Sequence, residues 1–112
     1  MMIIVAGTVD VDPAQRKAAL EAGRPHMQAT RAQKGCLHYT WAADELVSGR
    51  IYVYELWESA TDLELHFAGP HYLNMRNTIG AHGLRGADVL KYEVGRKGPV
   101  YDAQMKPRAD FF

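Results

Sequence analysis

The chain has 112 residues, with 13 basic and 13 acidic side chains and a formal net charge of zero. This length predicts one domain with a single core, and the dispersed, balanced charges argue against nucleic acid or an anionic membrane as the main partner. No apolar stretch approaches the ~20 residues that a membrane-spanning helix needs. The lone cysteine, Cys36, cannot form an internal disulfide, and the N-terminal segment lacks the pattern of a signal peptide, so a cytoplasmic location is expected.

The first predicted elements are a strand and a long helix. Residues 2–11 are rich in β-branched side chains and are apolar at both parities, which predicts a strand buried on both sides. Asp12-Pro13 is typical of a helix N-cap followed by the first helical residue. We therefore expect a helix over residues 13–34, with a kink at Pro25 because proline removes a backbone hydrogen bond.

Two further strands follow as a predicted hairpin. Residues 36–43 predict a strand with three large side chains on one face, Leu37, Tyr39 and Trp41. Residues 44–49 predict the connecting loop, and residues 51–57 the next strand. The apolar side chains of that strand fall on both faces, with Ile51, Val53 and Trp57 on one and Tyr52, Tyr54 and Leu56 on the other. A strand that is apolar on both faces must be covered on both.

A second helix is predicted directly after this strand. Ser59 and Asp62 form a capping-box pattern, which indicates a helix that begins just after the serine. Leu63 and Phe67 are four residues apart and are expected to face the sheet. His66 is expected at the edge of that stripe.

The remaining segments complete the predicted fold. Gly69-Pro70 ends the second helix, a further helical piece is expected over residues 71–79, and residues 87–94 predict the last strand. The order β-α-β-β-α-β is that of a ferredoxin-like α+β fold in residues 1–95, with helices on one face of the sheet only. Residues 96–112 form a C-terminal extension, which is expected to pack on a partner subunit or to be partly disordered.

Three segments together resemble the antibiotic biosynthesis monooxygenase family, and its quinol monooxygenases in particular. They are residues 30–39 (TRAQKGCLHY), 54–59 (YELWES) and 66–72 (HFAGPHY). The resemblance spans about residues 2–95 and implies a dimeric α+β barrel. In such a barrel the open sheet faces of two identical subunits pack together, and each subunit keeps a pocket between its sheet and its helices.

The resemblance also implies a set of activities. Members similar to the quinol monooxygenases oxidise electron-rich phenols with O2 and use no metal or flavin, whereas other members isomerise small carbonyl sugars or lactones. Haem-degrading members carry three signature residues, and their positions hold Gly7, His66 and Arg76 here. The absence of that signature argues against haem degradation.

His66 is the predicted catalytic base. Cofactor-free oxygenation requires a base that deprotonates a phenol or quinol, and a neutral histidine in an apolar pocket suits this task. Asp62 lies one turn earlier on the same helix and is expected to orient the imidazole, although capping competes for the same carboxylate. The alternative is a histidine that only completes the edge of the core.

Other side chains are predicted to shape the substrate pocket. Trp57 either stacks on a flat substrate or belongs to the core. Glu55 shares its face and is either a buried carboxylate paired with a lysine or arginine, or a second base. Polar contacts with a small aromatic substrate are expected from five more residues, each with a structural alternative: Tyr39, Tyr54, Tyr72, Asn74 and Arg76.

No metal or cofactor is predicted. His71 follows His66 by five residues, which is not the spacing of a helical metal-binding pair.

Three functions remain open. The preferred one is oxygenation of a quinol-like or polyphenolic substrate with O2. The second is isomerase or lyase chemistry on a small oxygenated metabolite. The third is ligand binding by a non-catalytic homodimer.

Overall fold

The computed structural model describes residues 1–112 as four strands and three helices. In chain order they are β1 (Ile3–Asp10), α1 (Arg16–Arg31), β2 (Cys36–Ala43), β3 (Arg50–Trp57), α2 (Ala60–Ala68), α3 (Pro70–Gly80) and β4 (Gly86–Glu93). This order confirms the ferredoxin-like α+β fold. The second helical region is divided at Gly69, where the backbone is extended, and Pro70 begins α3.

The strands form one antiparallel sheet in the order β2-β3-β1-β4. Side chains alternate along each strand, so the register sorts them onto two faces. The inner face, which the helices cover, carries the buried β3 residues Ile51, Val53, Glu55 and Trp57. The outer face carries Tyr52, Tyr54 and Leu56 of β3 and, in register with them through β1, Leu90 and Tyr92 of β4. The predicted two-sided apolar pattern of β3 is confirmed, but one chain alone covers only the inner face.

The core lies between the inner face and the helices and consists of two clusters. The first joins the sheet to α1 and α3 through Val9, Ala19, Ile51, Val53, Met75 and Ile79. The second surrounds the fully buried Trp57 and contains Ile3, Val5, Tyr39 and Leu63. The Met75 side chain lies directly against Gly23, so this small residue lets α1 and α3 pack closely.

Helix α1 begins later and ends earlier than the sequence predicts. The Asp12 carboxylate accepts hydrogen bonds from the Ala14 N–H at 3.0 Å and from the Gln15 side chain at 3.2 Å. These bonds hold residues 13–15 in a turn, because a short aspartate side chain competes with the helix for the backbone. The helix then continues through Pro25 to Arg31.

A β-bulge in β2 moves Leu37 away from the inner face. Cys36 pairs with Trp57 and His38 pairs with Leu56, so Leu37 is the extra residue between them. Leu37 is exposed whereas Tyr39 is buried. The expected shared face of these two residues is therefore wrong, because a bulge interrupts the two-residue period.

The buried stripe of α2 differs from the predicted one. Asp62, Leu63 and His66 are buried, which confirms Leu63 but places His66 inside the stripe. At roughly 100° per residue, Phe67 lies about 90° from the centre of this stripe. Phe67 is accordingly 46% exposed, and it faces the sheet only across an open cavity rather than packing on it. Phe67 instead packs edge-on against Tyr72, with ring centroids 5.0 Å apart.

The C-terminal part of the chain lies outside the core. All 8 residues of β4 are exposed. Beyond them, residues 96–112 fold back on themselves through a β-bridge between Tyr101 and Pro107, and the Arg96 guanidinium lies 5.1 Å from the centre of the Phe111 ring. Within the single chain Val100 is exposed. None of the helices has the length and apolar content required to cross a membrane.

Gly7 permits the close approach of β1 and β4. A Cβ atom at this position would collide with the backbone of Asp88 and Val89. We expect Gly7→Ala to lower the free energy of unfolding by about 1–3 kcal/mol, because overpacking forces the strands apart. Urea denaturation measures this change.

Gly86→Ala is the matched control. A Cβ atom at Gly86 would meet nothing within 4 Å, so this substitution should leave stability nearly unchanged. A Gly7→Ala protein with the parental unfolding midpoint would contradict the close strand contact.

Candidate active site

An apolar cavity of about 660 Å³ lies between the inner face of the sheet and helices α2 and α3. Its volume falls within the range of about 300–1,000 Å³ that is usual for small-molecule sites. Of its 17 lining residues 13 are hydrophobic, which favours an aromatic or other apolar ligand. The sheet and the helices contribute, among others, Val5, Val53, Phe67, Tyr72, Met75 and Ile79. The exposed Ala87 and Val89 place its open side along β4.

Glu55 is the only carboxylic acid that lines this cavity. It is 6% exposed, and its Oε1 accepts a hydrogen bond from the Trp57 indole N–H at 2.9 Å. No lysine or arginine pairs with it, so the expected ion pair is wrong. Burial raises the pKa of Glu55 to about 7, against the opposing effect of the Trp57 hydrogen bond. A carboxyl group that titrates near neutral pH suits general acid–base chemistry.

Glu55 belongs to a row of side chains that crosses the sheet. The register aligns Tyr39 of β2, Glu55 of β3, Val5 of β1 and Lys91 of β4. All four line the cavity. Burial raises the pKa of the Tyr39 phenol, and the neighbouring Glu55 raises it further. A ligand in the cavity therefore faces a phenol, a carboxyl and an ammonium group along one line.

A polar corner lies beside Tyr39. The Thr30 hydroxyl, from α1, and the Trp41 indole N–H, from β2, are both buried without a hydrogen-bond partner. Both groups neighbour the Tyr39 phenol, and Trp41 lines the cavity. Neither atom is accessible and Thr30 lies outside the cavity lining, so these two groups face the Tyr39 phenol rather than a ligand.

His66 is buried among aromatic rings and is not part of the cavity lining. It is 1% exposed, and its ring centroid lies 4.7 Å from that of Trp57, with edge contacts to Tyr39 and Tyr72. Its Nδ1 lies 2.6 Å from Gln33 Oε1. Burial lowers the pKa of His66 to about 4, with a smaller effect of His71. The imidazole is therefore neutral at pH 7 and donates its Nδ1–H to Gln33, while its role as the base stays a prediction.

Asp62 does not orient His66, so that expectation is wrong. Its carboxylate and the Ser59 hydroxyl are 3.0 Å apart, and Ser59 Oγ accepts the Asp62 N–H at 3.1 Å, which is the predicted capping interaction. The Asp62 carboxyl also occupies the space that a Cβ atom of Gly35 would need. Gly35 has a φ of 79°, a conformation that favours glycine. Asp62 thus fixes the start of α2 and the turn before β2.

The other predicted substrate contacts divide into two groups. Tyr72 and Arg76, both on α3, line the cavity together with Tyr39. Trp57 is fully buried and supports the wall through its contacts with Glu55 and His66. Trp57, Tyr54 and Asn74 lie outside the lining: Tyr54 points to the outer face because its parity is opposite to that of Glu55, and Asn74 is exposed on α3.

Sequence reasoning missed two residues of this region. Gln33 lies in the turn after α1, 33 residues before its partner His66, and no local pattern connects them. Lys91 alternates with the apolar side chains of β4, a pattern that predicts the solvent face, whereas the register places it on the inner face. No group of three or more His, Cys, Asp or Glu side chains in the chain is arranged to hold a metal ion.

A family model described as antibiotic biosynthesis monooxygenase matches residues 2–78 of the chain. The chain belongs to this family. The match includes β1, the β2–β3 hairpin with Glu55, and α2 with His66. The resemblance seen in three sequence segments is therefore confirmed.

Solved structures share the family's fold at low sequence identity. A provisionally assigned antibiotic biosynthesis monooxygenase from Deinococcus radiodurans is 21% identical, with a TM-score of 0.79 over 89% of this chain and 99% of that one. Rv0793 from Mycobacterium tuberculosis is 24% identical, with a TM-score of 0.75 over 88% of this chain and 100% of that one. These identities establish a common fold only.

A curated relative is the uncharacterized protein sll1783 of Synechocystis. It is 26% identical over 70 residues, which are 62% of this chain and 48% of that protein. The chain thus spans about half the length of this relative.

The raised pKa of Glu55 predicts how stability changes with pH. Its folded value of about 7 exceeds the ordinary value of 4.5, so the unfolded chain loses this proton first as the pH rises. The free energy of unfolding should therefore fall as the pH rises from the ordinary pKa to the folded one. The total loss is about 3 kcal/mol, because one pKa unit corresponds to about 1.4 kcal/mol. We expect Glu55→Gln, relative to the parent, to gain about that much in unfolding free energy between pH 4 and pH 8.

Urea denaturation of both proteins across this range measures the difference. Glutamine keeps an acceptor for the Trp57 N–H, and both proteins keep His66, whose own titration cancels in the difference. Parallel pH profiles would show that Glu55 titrates at its ordinary pKa.

Proposed function

We propose that this chain is a cofactor-independent monooxygenase that oxidises a small quinol-like or polyphenolic aromatic substrate with O2. The observation that carries the proposal is an apolar cavity with one buried carboxyl group, Glu55, whose pKa is raised to about 7. Membership of the antibiotic biosynthesis monooxygenase family supports the oxygenase class. An apolar cavity accommodates both an aromatic ring and O2, which is itself apolar.

The geometry favours Glu55 over His66 as the base. Glu55 lines the cavity and His66 does not. The pKa values, about 7 for Glu55 and about 4 for His66, agree with this choice. Proton transfer from a phenol with an ordinary pKa of about 10 costs about 4 kcal/mol toward Glu55 and about 8 kcal/mol toward His66. We therefore assign His66 a positioning role, since it stacks on Trp57, which holds the Glu55 carboxyl.

The proposed reaction balances with the quinol and O2 as its only reactants. Ionised Glu55 removes a hydroxyl proton from the quinol, and the electron-rich anion passes one electron to O2. The superoxide then combines with the ring radical at a carbon that bears hydrogen, and the resulting peroxide takes the proton back from Glu55. Loss of water from this hydroperoxide gives a hydroxyquinone, so quinol and O2 yield hydroxyquinone and one water.

Isomerase or lyase chemistry is the alternative that the same base supports. A carboxyl group that titrates near pH 7 moves protons on a small oxygenated metabolite as readily as on a quinol. The two functions differ in their need for O2. Oxygen uptake measured against catechols, hydroquinones and dihydroxynaphthalenes therefore separates them, and turnover of these substrates under nitrogen would replace the oxygenase assignment.

Glu55→Gln tests the assigned base. We expect it to lower oxygen uptake by at least about 100-fold, the usual contribution of a positioned base, because an amide cannot accept the proton. An oxygen electrode with the best substrate of the panel measures the rate. Thermal denaturation confirms that the variant remains folded.

His66→Phe is the companion variant. It removes the imidazole but keeps a ring of similar size beneath the cavity wall, so we expect it to retain activity within about tenfold. The opposite pattern, with Glu55→Gln active and a folded His66→Phe slowed by 100-fold or more, would make His66 the base, as the sequence predicts.

We further propose that the protein is a homodimer closed by its outer face. Tyr52 is 51%, Leu90 57% and Tyr92 51% exposed on this face. A patch of large apolar side chains on one sheet face is costly in water and is typical of an interaction surface. A two-fold pairing of identical faces covers it in both subunits at once. The C-terminal extension, residues 96–112, is proposed to reach across to the partner through the apolar Val100 and Tyr101.

Light scattering at micromolar concentration tests this assembly. We expect about twice the mass of one chain for the parent and a shift toward monomer for Leu90→Lys, because a buried charge opposes association. Leu46→Lys is the matched control, since Leu46 is 93% exposed in the β2–β3 loop and its substitution should leave the dimer intact. A stable monomeric parent would refute the proposed pairing.

A further inference from the structure

We propose that the cavity recognises an anionic aromatic substrate through Lys91 of β4 and Arg76 of α3. The inference rests on the proposed function, because it takes the cavity as the substrate site. It narrows the substrate class to a hydroxyaromatic acid whose carboxylate points toward β4. Three features support this assignment: two cations without partners, the charge of the cavity and the register of the sheet.

Lys91 and Arg76 line the same cavity from different elements. Neither forms an ion pair or a side-chain hydrogen bond, whereas the three ion pairs of the chain use other arginines: Arg50, Arg85 and Arg108. Glu93 is the next inner-face residue of β4, but it forms no ion pair and lies outside the cavity lining. Both cations are therefore free to bind a ligand.

The charges of the cavity favour an anion. Glu55 is its only acid, and burial raises the pKa of that carboxyl to about 7, so it carries less than a full negative charge at neutral pH. Two permanent cations thus face one partly neutral acid across an apolar lining. Both cations are exposed at the open side of the cavity, so their attraction for an anionic ligand is partly screened by water and amounts to a few-fold in affinity for each. A single unpaired lysine elsewhere on the surface would not indicate an anion site.

The register indicates the length of the ligand. Glu55 and Lys91 lie at the same level on the inner face, with Val5 of β1 between them. Two strand spacings separate them, which amounts to about 10 Å. A fused two-ring aromatic spans this distance, with its hydroxyl at Glu55, its rings over Val5 and its carboxylate at Lys91. Arg76 adds its charge from the helix side.

A matched pair of ligands tests the proposal. 6-Hydroxy-2-naphthoate and 2-naphthol share the rings and the hydroxyl and differ in the carboxylate. Isothermal titration calorimetry under nitrogen measures binding without turnover. We expect the acid to bind about tenfold tighter than the naphthol, because each partly exposed charge pair contributes a few-fold in affinity. Added salt should weaken binding of the acid only.

Substitutions assign the effect to the two cations. Lys91→Met and Arg76→Met should each weaken binding of the acid by about three- to fivefold, and together they should abolish the preference, with unchanged affinity for 2-naphthol. Lys17→Met, at an exposed lysine of α1 outside the lining, should change neither affinity. Thermal denaturation verifies the fold of each variant.

Equal affinities for the two ligands, no binding of either, or a preference that survives the double substitution would each overturn the inference. The result is independent of oxygen chemistry. If the acid binds selectively but consumes no O2, the anion site stands and the proposed oxygenation fails. If O2 is consumed with neutral quinols while the protein binds the acid no more tightly than 2-naphthol, the proposed oxygenation stands and the anion site fails.

Discussion

The alternation of side chains along β3 is the constraint on which both faces of the sheet depend. The strand is paired along its full length with β1 and over residues 51–57 with β2, and a slip by one residue would exchange every inward side chain for an outward one. That register places Ile51, Val53 and Trp57 in the core and Glu55 in the cavity. It also leaves Tyr52 and Tyr54 on a face that nothing in the same chain covers.

The buried Glu55 is a residue that the stability of the core does not require. An apolar residue at this position would complete the inner face, whereas a carboxyl with one indole N–H as its partner opposes folding once it ionises. A fold of marginal stability keeps such a group only at a cost. The absence of a compensating cation distinguishes this acid from a structural ion pair and makes its proton available to a ligand.

Much of the architecture was predictable because it follows from local rules. The cap at Ser59, the break at Gly69-Pro70 and the two-sided pattern of β3 each depend on neighbouring residues. The errors arose where a single residue shifts a period, as with the bulge at Leu37, or where a side chain competes with the backbone, as with Asp12. The site was less predictable, because Gln33, Lys91 and Glu55 meet their neighbours only through the tertiary fold.

The bare inner surface of β4 also bears on kinetics. The helices leave this strand exposed, and residues 96–112 contribute nothing to the cavity lining. Within one chain, no lid or helix has to move before a ligand enters. For the single chain we therefore expect entry by diffusion, unlike that of enzymes in which loop opening limits turnover. The residence time of a product then depends on the contacts that hold it in place, and the charged groups at the open side become the main determinants of its release.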